Sequence, residues 1–146
     1  MSGVRCEVPG GRGGRGTTTL SRLTYHTAMV IRKFEDLRAW QQARELTRLI
    51  YKLCQKRDFV RDFGLRDQLQ RAAVSTMANI AEGFDCTSRT EFKRFLGYAR
   101  RSAVEIQSLL YVCRDAGYIT EELFDSYYEQ ARIVKALTGG LMHSIT

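Results

Sequence analysis

Apolar residues recur every three or four positions from Phe34 to the end of the chain, the spacing of amphipathic helices rather than of strands. The pattern predicts four of them. A first helix runs from about Glu35 to Arg57, with Leu37, Trp40, Ala43, Leu46, Ile50 and Leu53 on one face. A second runs from about Leu65 to Glu82 and is rich in small residues: Ala72, Ala73, Ser75, Ala78 and Ala81. A third, from about Arg89 to Asp115, carries the cleanest stripe, from Phe92, Phe95 and Leu96 through Ala103 and Ile106 to Cys113. A fourth runs from about Glu121 to Leu137 or beyond. Ser88 with Glu91 forms a capping box before the third, and Thr120 with Glu121 and Glu122 opens the fourth. With short links between them, the expected fold is all-α: an antiparallel up-down four-helix bundle over residues 34–146. Helices of about 22 residues would each span about 33 Å.

Composition changes the picture only at the N-terminus. Half of the 12 glycines and the sole proline lie in the first 16 residues, so 1–33 reads as a flexible Gly/Arg-rich tail. Two readings of it stay open: an RGG-like arm that touches RNA phosphates, or a leader upstream of a start at Met29. The net charge of +7 is also concentrated there. Residues 1–33 carry six basic groups and one acidic group, whereas residues 34–146 carry 17 basic and 15 acidic, a net of only +2. The high isoelectric point therefore says little about the folded surface.

The chemistry expected is non-catalytic. The two histidines, His26 and His143, sit at opposite ends, and no nucleophile–base constellation, Glu-x-x-His pair, phosphate loop or CxxC pair occurs. Catalytic, cofactor and metal sites are all expected to be absent. Cys6, Cys54, Cys86 and Cys113 are scattered and read as free thiols in a reducing cytoplasm. No apolar run approaches 18 residues, so no membrane contact is expected.

Two features of the helices invite a role. Lys93, Arg100, Gln107 and Arg114 are spaced by seven along the third helix, with Arg89 and Tyr111 close to the same line. This line lies about 100° from the centre of the apolar stripe. It reads as a solvated charged face, as a phosphate-contacting ridge in which Tyr111 stacks on a base, or as a subunit contact. Gly97, mid-helix beside the line, favours close packing of another backbone there. Glu82 is the second feature, because it precedes Gly83 at the negative end of the second helix. It is expected to form a salt bridge with Arg89 or Lys93, within the chain or across a subunit boundary, with Asn79 hydrogen-bonding nearby; the other reading is an exposed glutamate in a frayed turn.

The segments "FEDLRAWQQARELTRLIYKL" (34–53), "LQRAAVSTMANIAEGF" (69–84), "SRTEFKRFLGYARRSAVEIQSLL" (88–110) and "DAGYITEELF" (115–124) resemble a bacterial four-helix-bundle family. It includes proteins encoded in intervening sequences of 23S rRNA genes and accessory variability proteins of diversity-generating retroelements. The resemblance covers about 34–142. It implies a homopentameric barrel without catalysis and, in the retroelement members, binding of a reverse transcriptase and of RNA or DNA through a basic surface. The matching basic positions here are Arg66, Arg71, Arg89, Lys93, Arg94, Arg100 and Arg101. Met77 stands where the family often has proline, which implies a straighter second helix.

Overall fold

The structure, a computed structural model, describes residues 30–146. The Gly/Arg-rich tail, with its two readings, lies outside the described residues apart from 30–33. Among those described there are four long helices and no strands. A single 3-10 turn at Phe34–Asp36 precedes α1 (Arg38–Cys54), followed by α2 (Phe63–Asp85), α3 (Arg89–Asp115) and α4 (Glu121–Ser144). Contacts run α1 to α2, α2 to α3, α3 to α4 and α4 back to α1, so the four close into a bundle. Leu46, Ile50, Leu69, Ile80, Leu96, Ile106, Leu110 and Val134 are fully buried along its axis.

Local chemistry sets the ends. The bounds of α3 are those the sequence predicts. Ser88 Oγ accepts from the Glu91 N–H at 3.4 Å, and Gly117 follows the helix at φ +78°. There the Tyr118 N–H bonds Cys113 O at 2.9 Å and the Gly117 N–H bonds Arg114 O at 3.0 Å, a Schellman closure that only a residue without Cβ adopts freely. Thr120 Oγ1 caps α4 by accepting from the Leu123 N–H at 3.2 Å. The start of α2 falls two residues before the expected Leu65, because Asp62 Oδ1 caps it from the Leu65 N–H. α1 ends at Cys54, ahead of the expected Arg57, and residues 56–62 form successive turns closed by Phe59 N–H to Lys56 O and Asp62 N–H to Phe59 O.

Gly83 departs from its expected role as a helix stop. It lies inside α2, buried, and a Cβ placed on it would stand 2.8 Å from Phe95 Cβ and 2.9 Å from Phe92 Cδ2. Its lack of a side chain lets α3 come close. Small residues continue this contact along the pair: Ala72, Ala73, Ala99 and Ala103 are buried, and Ser102 Oγ bonds Ser75 Oγ at 3.0 Å. α1 joins the seam where Thr47 Oγ1 lies 3.0 Å from Ala73 O.

The expected Glu82 ion pair is absent among the described residues. α2 continues to Asp85, so Glu82 sits on its outer face, exposed and without a basic partner. Arg89 instead donates to the Thr146 main-chain oxygen on the α4 side. Asn79 Nδ2 turns back along its own helix to Ser75 O at 2.8 Å and Ser75 Oγ at 2.9 Å. Solvent, rather than a cation, makes a carboxylate tolerable at the negative end of α2, since screening at an exposed helix end leaves only a few tenths of a kcal/mol of dipole repulsion.

Two outcomes follow for thermal or urea unfolding. Gly83→Ala gains about 1 kcal/mol in helix propensity but forces Cβ against a backbone-linked atom of α3, an overpacking cost of about 1–3 kcal/mol; the expected net is a loss of stability. Glu82→Gln is expected to shift stability by less than about 0.5 kcal/mol, as for a surface position without partners.

Candidate nucleic-acid and subunit contact surface

The heptad line of α3 does not stand free as a ridge. It lies against α4, because the flank that is 100° from the apolar stripe is the flank α4 covers. Going down α3, Arg89 bonds Thr146 O, the Arg100 guanidinium lies 3.6 Å from the position a Cβ of Gly139 would take, and Gln107 is buried at 7% exposure. At the far end the Arg114 guanidinium lies 4.6 Å from the Phe124 ring centroid and 4.9 Å from that of Tyr111. It also reaches Glu121 at 3.6 Å and Asp115 at 3.5 Å. Tyr111 packs edge-on against Phe124 at 4.9 Å and Tyr128 at 5.9 Å, leaving its ring 43% exposed. Four of the residues expected to contact nucleic acid or a second subunit are thus engaged within the chain. Lys93 on the same line is exposed.

The outer face of α3, turned away from both neighbours, carries a different set. Arg94 lies 3.6 Å from Glu91 and over the Phe95 ring. Arg101 lies over the Tyr98 ring at 5.3 Å. A shallow depression of about 360 Å³ runs along Gly97, Arg100, Arg101 and Val104. Among the described residues nothing lies within 4 Å of where a Gly97 Cβ would be, so no described backbone uses that glycine. Tyr98, Val104 and, on α2, Val74 are exposed apolar side chains. Arg100 borders the depression with its Nε buried and carrying no hydrogen bond among the described residues.

Arg71 is exposed on α2, and Arg66 marks the end of the bundle where α1 turns into α2. There Arg66 Nη1 donates to Val60 O at 2.9 Å while its guanidinium lies 4.9 Å from the Phe63 ring centroid. The nine expected contact residues therefore do not converge on one patch: Arg89, Arg100, Tyr111 and Arg114 line the α3–α4 seam, Arg94 and Arg101 the outer face, Lys93 the start of α3, and Arg66 and Arg71 α2. Phe63 itself, 64% exposed, is the residue the sequence reading passed over. The alternation of Phe with Arg and Lys in "KRDFVRDFGLR" (56–66) is the signal that marks it.

The remaining chemistry is quiet. Among the described residues no group of three His, Cys, Asp or Glu side chains could hold a metal ion. Burial pushes the Cys54 thiol up to about 11 and that of Cys113 up to about 12, the latter with a contribution from Cys54. Both are un-ionised at neutral pH and so poor nucleophiles. No described helix is long and apolar enough to cross a membrane.

The fold has a solved counterpart. A crystal structure at 1.70 Å resolution, of a protein of unknown function from the S23 ribosomal protein family of Bacteroides thetaiotaomicron VPI-5482, superposes with a TM-score of 0.66. The two are 24% identical over 71% of this chain and 97% of that one, a likeness that speaks for the fold. Comparison with curated proteins gives no match. Residues 35–140 match the family described as 23S rRNA-intervening sequence protein, a span that takes in α1, α2, α3 and most of α4. The chain belongs to the 23S rRNA-intervening sequence protein family.

Proposed function

We propose that the protein is a non-catalytic, self-assembling scaffold of the cytoplasm that contacts RNA or DNA through basic residues left outside its subunit interface. The observation that carries the assembly is the outer face of α3. Gly97 sits in mid-helix, where it costs about 1 kcal/mol against alanine, yet no atom among the described residues occupies the space it leaves. Exposed Val104 lines the depression beside it, and Tyr98 on the same helix is exposed as well. A second copy packing on this face accounts for the glycine and covers the apolar side chains, and the resemblance implies five copies in a ring. Repetition around a ring would multiply a weak basic patch by avidity. Of the expected contact residues, Lys93, Arg71 and Arg66 are the basic ones that lie off that face and off the α3–α4 seam. The family description, which names 23S rRNA, makes RNA the first polymer to try. A reverse transcriptase is a further partner implied by the retroelement relatives.

A second reading is an interaction scaffold that binds no nucleic acid. It is supported by the engagement of Arg89, Arg100 and Arg114 within the chain and by a net charge of only +2 over residues 34–146.

Native mass and low-salt RNA titration separate the two. The expected result is an oligomer whose affinity for RNA falls steeply as salt rises, the mark of phosphate contacts. An oligomer that ignores both structured and single-stranded RNA at low salt selects the second reading, and a monomer at all concentrations removes both. Gly97→Ala is expected to weaken assembly while leaving the subunit folded. If it raises stability by about 1 kcal/mol with the native mass unchanged, the outer face of α3 is not the contact.

A further inference from the structure

The turn between α1 and α2 holds an aromatic ring in water by construction. Phe59 is fully buried and packs edge-on to Tyr118 at 4.9 Å. Asp62 binds at two points: Oδ1 accepts from the Leu65 N–H at 3.2 Å, and Oδ2 accepts from the Tyr118 hydroxyl at 3.1 Å. The carboxylate raises the pKa of that phenol, so the hydroxyl stays a donor across the neutral range. These contacts pin the turn to the bundle on both sides of Val60 and Arg61. Phe63 follows at once, in the first turn of α2, and is 64% exposed. It cannot fold inward, because Phe59 and Leu65 fill the core at this level.

Arg66 is held too. Its Nη1 bonds Val60 O, and its guanidinium covers part of the Phe63 ring at 4.9 Å. Lys56, Arg57 and Arg61 lie in the turns that lead to it, the two arginines exposed. The acids nearby are Asp58 and Asp67, both exposed, and Asp62, whose oxygens are engaged. Val60, in the turn before it, is 37% exposed. An apolar protein surface would find little to bury here. An exposed aromatic ring, backed by one arginine and preceded in the chain by further basic residues, suits a polymer that offers flat apolar faces joined by negative charges.

We propose that Phe63 and Arg66 form a stacking platform for a base of a single-stranded nucleic acid, with Arg57, Arg61 and Lys56 set to meet the flanking phosphates. This rests on the nucleic-acid reading above and assigns it a residue that none of the expected contact positions included. Stacking on an aromatic ring tolerates any base, because every base has a π-face, so the platform would give affinity without sequence preference. The salt dependence would come from those basic residues.

The test uses the full chain, a short labelled oligouridylate at low ionic strength, and native mass measured in parallel. Phe63→Leu keeps apolar bulk and removes the aromatic face. It is expected to weaken binding about ten-fold or more, within the range seen when a stacking aromatic is removed, with native mass and melting midpoint unchanged. Phe63→Trp is expected to retain binding and to show fluorescence quenching on addition of the oligonucleotide, beyond any change in the wild type, whose single tryptophan is Trp40. Binding by Phe63→Leu equal to wild type overturns the platform and leaves the nucleic-acid reading standing. A changed native mass in Phe63→Leu overturns it in favour of a contact between copies. A wild-type chain that binds no oligonucleotide overturns the platform, and one that ignores structured RNA as well removes the reading beneath it.

Discussion

The distance between α2 and α3 governs the rest of the molecule. At Gly83 the two helices approach until Phe92 and Phe95 occupy the space a side chain would need. Alanines and serines keep them close further along the pair. Such close packing leaves no freedom for one helix to slide or roll on the other, because interiors are packed to crystal density. The roll of α3 is thereby set, and with it the direction in which Gly97, Tyr98 and Arg101 face. The hydroxyls within the seam are satisfied locally: Thr76 Oγ1 donates to Ala72 O, and Ser75, Ser102 and Asn79 bond one another. Proximity here therefore leaves none of these groups unpaired.

The opposite flank of α3 is built on another plan. Toward α4 the contacts are made by long cationic side chains whose guanidinium groups lie against glycine and aromatic surface. Arg100 over Gly139 and Arg114 between Tyr111, Phe124 and Glu121 are both of this kind. A census of basic residues on α3 thus overstates the charge available to a phosphate chain. What remains available is distributed between the start of α3, its outer face and the α1–α2 end of the bundle.

The helices were readable because their signals are local. Ser88 and Gly117 bracket α3 and set both of its bounds, and the stripe from Phe92 to Cys113 places its core face. Glycine carried an ambiguity that one chain cannot resolve: the same residue ends a helix at 117, admits a neighbour at 83 and faces open space at 97. Only the tertiary arrangement separates these uses. The heptad line of α3 is divided between covered and exposed positions for a similar reason. An angle of about 100° from an apolar stripe describes a flank, and whether that flank is covered depends on where α4 lies. The Glu82 pair presumed that α2 stops at Gly83, and within one chain it does not form among the described residues. Phe63 was hidden by its place at a helix start, where an aromatic is as easily read as a core residue.

The brevity of the link between α2 and α3, residues 86–88, bears on how the chain acquires its shape. Ring closure becomes more demanding as the intervening chain lengthens, so this helical hairpin has the smallest entropic barrier of any pair in the bundle. Its small-residue seam can zip from the link outward, whereas α1 must find α4 across most of the sequence. We expect the α2–α3 hairpin to form the nucleus, as residue-by-residue kinetic mapping would reveal through early structure at Ala99 and Ala73 and late structure at Ile50; the reverse order would show that assembly begins instead at the sequence-distant α1–α4 pair.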